Sequence, residues 1–320
     1  MKILQQQLIL DESAVGQRLD QALSERLPDY SRSVIQQWIR QGFVRLNDNT
    51  PRTRDKVYAG DRIELDVPAT TKTSDRAEPI EFEIVFQDEH LFVINKPAGL
   101  VVHPAAGHVS GTLVNGLLAV DPALEQLPRA GIVHRLDKDT TGLMVVARSL
   151  PAHAGLVEAL QARRVKREYV AIVRGVITAG RRVEQPIGRH PVDRKRMSVQ
   201  RNGKEAITHF SVHERFRAHS LIDVQLETGR THQIRVHMAW LHHPLVGDPV
   251  YGGRQAVPSG VSPALEQVLR DFHRQALHAR RLGFVHPVIG ETMLFECELP
   301  SDMRQLLTVL RDDQRLADDG

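Results

Sequence analysis

Leu19, Ala22, Leu23 and Leu27 fall three and four residues apart, the spacing of one face of a helix. Pro28 and Asp29 break the pattern. Ser31 or Ser33 can cap a second helix carrying Val34, Ile35, Trp38 and Ile39 on one face, and Gly42 stops it. Strand-like runs follow at 43–46 and 61–67, with a turn at Asn47-Asp48-Asn49. Residues 69–79 are polar, Thr-rich and aperiodic, and read as a linker. From Ile80 the texture becomes paired strands: 82–86 and 91–95 flank Gln87-Asp88-Glu89-His90, and others are expected near 143–148, 168–174, 206–213, 220–227 and 293–299. Helices are expected at 110–120, 151–164, 231–241 and 263–271. Strands and helices mixed this irregularly predict an α+β (mixed α/β) fold with a large mixed sheet, preceded by a small α/β domain. The expected divisions are 1–68 (its folded part from about 16), a linker at 69–79, a main domain at 80–306, and a polar, frayed tail at 307–320.

At 320 residues the chain is long enough for two domains. The only cysteine, Cys297, excludes a disulfide framework and a cysteine-based zinc site; in the strand-like run 294–299 it reads as a core thiol, and it suits a reducing cytoplasm. No apolar run approaches the roughly 20 residues of a spanning helix. Met1-Lys2-Ile3-Leu4 is interrupted at once by Gln5, Gln6 and Gln7, unlike a signal peptide. A cytoplasmic protein without membrane contact is therefore expected.

Charge sharpens this picture through its distribution. The net charge is only +3, yet residues 163–196 hold eleven cations, Arg163, Arg164, Lys166 and Arg167 first among them, against three carboxylates, a local net of +8. That asymmetry favours an RNA groove. Arg32, Arg40, Arg45, Arg52, Arg54 and Lys56 surround the first domain, either as a solvated surface or as a face for phosphates.

The densest chemistry lies at 131–148, where a loop with Arg135, Asp137, Lys138, Asp139, Thr140 and Thr141 runs directly into the apolar run 143–147. Polar groups on a loop backed by a rigid strand are where sites tend to sit. The chain has no Walker A pattern, no strand-bound dinucleotide fingerprint and no H-E-x-x-H helix, and His232 and His237 are poorly spaced as metal ligands. Neither a cofactor nor a metal is expected.

His134-Arg135-Leu136-Asp137-x-x-Thr140-Thr141-Gly142 resembles the signature loop of the RluA family of RNA pseudouridine synthases. Asn95-Lys96-Pro97-Ala98-Gly99-Leu100, Lys166 to Ala171, Leu226 to His237, His243 to Asp248 and Leu277-His278-Ala279 resemble further motifs of that family in the same order. The first domain resembles an S4 RNA-binding domain through Gly16 to Asp20, Ser31-Arg32-Ser33 and Gly60-Asp61. Both parts together match a layout found within the family.

The resemblance implies detachment of uracil at N1, its rotation, and its rejoining to ribose through C5, with no redox step. Asp137 matches the catalytic aspartate, which either attacks the ribose or abstracts a sugar proton. A carboxylate must be ionised for either, and a close cation favours that form and orients it. Arg235 matches the arginine paired with it, and Asp139 reads as structural or as a partner for Lys138. Tyr169 matches the tyrosine lying against the uracil, where stacking and proton transfer are both open. A stacked uridine must be flipped out; Arg135 matches the residue that fills the vacated space. His134, Thr140 and Arg230 belong to the same motifs as RNA-contacting candidates. The implied partner is large-subunit (23S) ribosomal RNA, at several neighbouring uridines of one stem-loop, or the assembling large subunit, met by a monomer. Other readings are a sister synthase acting on other rRNA or tRNA uridines, a non-catalytic ribosome-assembly factor, and a hydrolase using Asp137 and Asp139.

Overall fold

The computed structural model describes residues 4–27, 32–67, 76–104, 110–193, 195–253 and 257–318. The chain divides into two compact units, 1–74 and 75–320.

The first unit contains β1 (Leu4–Ile9), α1 (Leu19–Arg26), α2 (Arg32–Arg40), β2 (Val44–Leu46) and β3 (Arg62–Val67), with an antiparallel sheet in the order β1-β3-β2. The apolar faces read from the sequence meet as one core, in which Leu19, Ala22, Leu23 and Leu27 pack with Ile35, Trp38 and Ile39. β1 was not expected, because its three glutamines hide any alternation. It pairs through its backbone, and Gln7 Nε2 donates to Glu64 Oε1 of β3 at 3.0 Å. Ser33 falls within the range of α2. Pro28, Asp29, Ser31 and residues 69–75 of the expected linker lie outside the described residues.

Asp20 is fully buried on α1. Its carboxylate accepts bidentate hydrogen bonds from Arg18 (3.0 and 2.9 Å) and from Arg32 (3.2 and 3.0 Å), and a further one from Gln36. Arg32, expected to face RNA, has its guanidinium committed to this carboxylate. Burial opposes ionisation, but the bonds from Arg32, Arg18 and Gln36 outweigh it and hold the carboxyl well below the usual range. The folded state therefore gains stability from Asp20 above the unfolded carboxyl value of about 4, and loses it as pH falls below that. Asp20→Asn should cost about 2 kcal/mol at neutral pH and flatten the acid limb of stability, which amide exchange in residues 19–26 would report.

The second unit begins with the hairpin β4 (Glu83–Gln87) and β5 (Leu91–Lys96), then α3 (Leu113–Val120), β6 (Thr141–Ala147), α4 (Leu150–Gln161) and β7 (Lys166–Arg174). Next come β8 (Arg181–Glu184), β9 (Ile187–Arg189), β10 (Met197–Val199), β11 (Ile207–Arg215), β12 (His219–Leu226) and α5 (Gln233–Trp240). α6 (Pro263–Asp271), β13 (Leu277–Val285), β14 (Thr292–Glu296) and α7 (Ser301–Asp318) complete it. The large sheet runs β4-β5-β6-β13-β7-β12-β11-β8, with β14 also on β13. Among the described residues β13 with β6 is its one parallel pair.

Both faces of the sheet are covered, which explains why β6 is buried along its whole length and apolar after Thr141. On one face Ile94, Met144, Val146, Ala171 and Val224 pack with Leu113 and Leu117 of α3 and Ile234 and Met238 of α5. On the other, Val93, Leu143 and Val145 pack with Ala152 and Leu156 of α4, while Ile172 and Leu221 pack with Leu265, Leu269, Met303 and Leu306 of α6 and α7. Ser149 and Ser262 cap α4 and α6, their hydroxyls accepting from Ala152 N and Leu265 N, with a proline in each first turn.

Four expectations need correction. The tail at 307–320 is not frayed: residues up to 318 form α7, and Met303, Leu306, Leu307 and Leu310 bury one face. Residues 76–79 are not free linker, since Asn115 Nδ2 donates to Arg76 O and Glu78 N donates to Asn115 O. The central strand β13 was missed because its charged pair, Arg280-Arg281, interrupts the apolar pattern. Cys297 follows β14 and is only half-buried, packed against the core rather than within it as expected, 3.2 Å from His278 Nε2, and burial pushes the thiol up to about 12. Among the described residues no helix is long and apolar enough to cross a membrane.

Candidate active site

The loop 133–140 enters β6 at the centre of the sheet, and five consecutive residues there are gripped by five different side chains. Asp137 Oδ2 accepts from Arg235 Nη1 of α5 at 2.9 Å. Lys138 O accepts from Lys96 Nζ at 2.8 Å, and Asp139 O from Arg274 Nη1 at 3.2 Å. Thr140 Oγ1 accepts from Gln275 Nε2 at 3.0 Å, and Thr141 Oγ1 lies 2.8 Å from His278 Nδ1. Gly142 closes the loop at φ +112°, pressed so closely on β13 that a Cβ would lie 2.3 Å from Ala279 O. Only glycine combines that conformation with that approach.

Arg235 is itself fixed from behind. Its Nε and Nη2 donate to Asp248 Oδ2 and Oδ1 at 2.7 and 2.9 Å, and Asp248 Oδ1 also accepts from the backbone N–H groups of Val250 and Tyr251. Burial alone would discharge this pair. Their mutual bonds win, holding the Asp248 carboxyl down and the Arg235 guanidinium up. Asp248 thus uses one edge of the guanidinium and leaves Nη1 for Asp137. The other oxygen of Asp137, Oδ1, stands 3.9 Å from His232 Nε2. His232 Nδ1 lies 2.8 Å from Tyr251 Oη, and burial pushes its imidazole down. A neutral His232 leaves Oδ1 free for a ligand.

This carboxylate opens into a cavity of about 740 Å³, within the usual size for ligand sites. Tyr169 of β7 lines it, 6% exposed, its phenol pushed up by burial and hence neutral. Arg129, Arg135, Arg163, Arg167 and Arg230 also line it, against the carboxylates Asp137 and Glu227. A carboxylate with one oxygen held by Arg235 and the other open, in a basic cavity that an aromatic ring also lines, can stabilise or trap a cationic sugar next to a planar base.

Comparison with known proteins places this geometry. Residues 90–240 match the model of the RNA pseudouridylate synthase family and residues 17–63 that of the S4 domain. The ribosomal large subunit pseudouridine synthase D of Pseudomonas aeruginosa is 54% identical over 93% of this chain and 93% of its own. That of Xanthomonas campestris is 49% identical over 97% of this chain and 94% of its own. The chain belongs to the RNA pseudouridylate synthase family. The solved structure of human RNA Pseudouridylate Synthase Domain Containing 4 superposes with a TM-score of 0.54, at 29% identity, over 72% of this chain and 93% of that one. Members of this family isomerise uridine within RNA, and the S4 domain and mixed α+β architecture accord with the sequence-based expectation.

Of the expected site residues, the pseudouridine synthase cavity gathers His134, Arg135, Asp137, Thr140, Arg163, Arg167, Tyr169, Arg230 and Arg235. Several are not free to meet RNA as expected. The Thr140 hydroxyl is turned inward to Gln275, and the residue is 2% exposed. His134 Nε2 accepts from Val145 N at 3.1 Å, pinning the loop to β6. Arg164 pairs with Glu158 on the surface, and Lys166 is exposed at the start of β7; neither lines the cavity. Arg163 pairs with Glu205 and Glu227, so carboxylates outside the 163–196 stretch offset part of its charge. Arg230 donates from Nε to Glu205 O at 2.8 Å.

Four residues that hold the site were missed: Arg274 and Gln275, which grip Asp139 and Thr140 from outside any motif, and Asp248 and Lys96. Asp248 stands at the end of one of the motifs, yet its partnership with Arg235 spans a loop with no periodic signal. Lys96 lies in the first motif without a role of its own. It is fully buried and donates to Pro97 O, Leu100 O and Lys138 O at 2.8, 2.9 and 2.8 Å, tying the end of β5 to the Asp137 loop. Burial pushes its ammonium down to about 7, against the pull of Asp139 and Asp137, but three carbonyl acceptors satisfy three N–H groups only in the charged form. Lys96→Met should strand those carbonyls, lower stability by about 3 kcal/mol, and slow pseudouridine formation more than RNA binding. Thermal unfolding and filter binding would separate the two effects.

Proposed function

We propose that this chain isomerises uridine to pseudouridine in large-subunit (23S) ribosomal RNA, at several neighbouring uridines of one stem-loop. The observation that carries this reading is the Asp137–Arg235 pair, 2.9 Å apart in the lining of a basic cavity that Tyr169 also lines, in a chain about half identical to relatives named for the large ribosomal subunit. Asp137 acts on the ribose through Oδ1, as nucleophile or as proton acceptor. Tyr169 lies against the uracil. Arg135, an exposed residue of the cavity lining, takes the space left in the RNA stack. The proposed working form is a monomer, and the proposed location is the cytoplasm.

The test uses large-subunit rRNA transcript tritiated at uridine C5, because C5 loses its hydrogen when it joins the ribose. Tritium release from the transcript or from assembling particles, confined to one stem-loop, is the expected result. Release from tRNA instead would reassign the substrate to that of a sister synthase. Tight binding with no release from any of these RNAs would overturn the enzyme reading in favour of an assembly factor.

A further inference from the structure

Arg167 and Tyr169 are two residues apart on β7, so their side chains share the face that lines the cavity. Arg167 is 8% exposed, its Nε is buried without a hydrogen-bond partner, and among the described residues no carboxylate lies within ion-pair distance of it. A buried guanidinium normally has a partner, because desolvating an unpaired charge is costly. Its Nη1 lies close over Gly229, where a Cβ would come within 2.7 Å of it. A second orphan lines the same cavity. His134 Nε2 accepts from Val145 N, so the neutral ring carries its proton on Nδ1, and that buried nitrogen also has no partner. Burial, with Arg167 adding to it, pushes this imidazole down to about 3, consistent with the neutral form.

We infer that the guanidinium of Arg167 is a site for a carbonyl oxygen of the flipped uracil and stabilises the negative charge that this oxygen gains when the glycosidic bond breaks. The inference rests on the function proposed above. The N1–C1′ bond breaks with its electron pair left on the base, where the charge is shared by O2 and O4. The C5–C1′ bond then forms, C5 gives up its proton, and N1 takes one up, so no atom is gained or lost overall. A phosphodiester could supply the same anionic chemistry, but the exposed Arg135 of the same lining is the better placed of the two to meet one. Arg167 is sunk beside Tyr169, where the base goes.

The test compares wild type, Arg167→Met and Arg167→Lys in single turnovers at saturating enzyme, on RNA carrying uridine or 5-fluorouridine at the target. Loss of the parent nucleoside is read after digestion. Fluorine withdraws charge and makes the uracil anion a better leaving group. Arg167→Met should slow the uridine reaction about 100-fold, with RNA affinity within about twofold and melting temperature unchanged or higher, since an unpaired buried charge has been removed. The defect on 5-fluorouridine should be about tenfold smaller, and Arg167→Lys should recover part of the loss. Equal defects on both substrates, or a lowered melting temperature with no kinetic difference between them, would make Arg167 structural. A weaker RNA affinity with a salt slope reduced by about one and an unchanged saturated rate would make it a phosphate contact. Either result overturns the inference alone. A wild type without turnover would overturn the function on which it rests.

Discussion

Asp137→Asn is expected to lower the rate of pseudouridine formation by about 10³-fold or more while leaving RNA binding and folding almost intact. Asparagine has the shape of aspartate, and its amide oxygen can still accept from Arg235 Nη1. Arg235 keeps its bidentate partner Asp248, so no bare charge is created in the interior. What disappears is the negative charge on Oδ1, the oxygen left free on the cavity side. A neutral amide cannot trap or stabilise a cationic sugar, and cannot accept a proton from it. Tritium release beside filter binding reads both halves of this expectation. Asp139→Asn is the control: the loop holds that residue through its backbone carbonyl to Arg274, and most of the activity should survive. A mutant at Asp137 that still turned over, with loss at Asp139, would exchange their roles.

How far the site could be read in advance follows from the kind of signal each residue leaves. Asp137, Tyr169 and Arg235 sit in dense local motifs, and the structure brings them to one cavity from a loop, a strand and a helix. Two of the residues that hold them also stand in motifs, but nothing local gives away their role. Asp248 reaches Arg235 from a loop, and Lys96 acts through three carbonyls, which any sequence possesses. Local charge misled in the same way: Glu158, Glu205 and Glu227 come from outside the basic stretch to pair with its arginines. The helical spacing of Met303, Leu306, Leu307 and Leu310 was legible, but a polar, acidic ending masked it. Helices with clear apolar faces and the β4–β5 hairpin were placed within a few residues, because there local pattern and tertiary burial agree.

Arg235→Leu should remove both function and fold stability, and the second loss can be partly undone while the first cannot. The guanidinium is 5% exposed and the Asp248 carboxylate fully buried, so deleting the cation leaves an uncompensated charge in the interior. Breaking a buried pair in this way costs about 3–5 kcal/mol, a fall of roughly 10 °C in melting temperature for a domain of this size. Replacing Asp248 as well, by Asp248→Leu in the same chain, removes the stranded charge and should restore a large part of that stability. Asp137 would still lack the donor that holds Oδ2 and turns Oδ1 toward the cavity. Tritium release should therefore stay near background in the double variant. Arg235→Lys makes the complementary point, since one ammonium cannot reproduce a fork that spans two carboxylates; charge is kept, stability falls less, and activity is still lost. If the double variant recovered activity along with stability, Arg235 would serve only to neutralise Asp248, and its grip on Asp137 would be incidental.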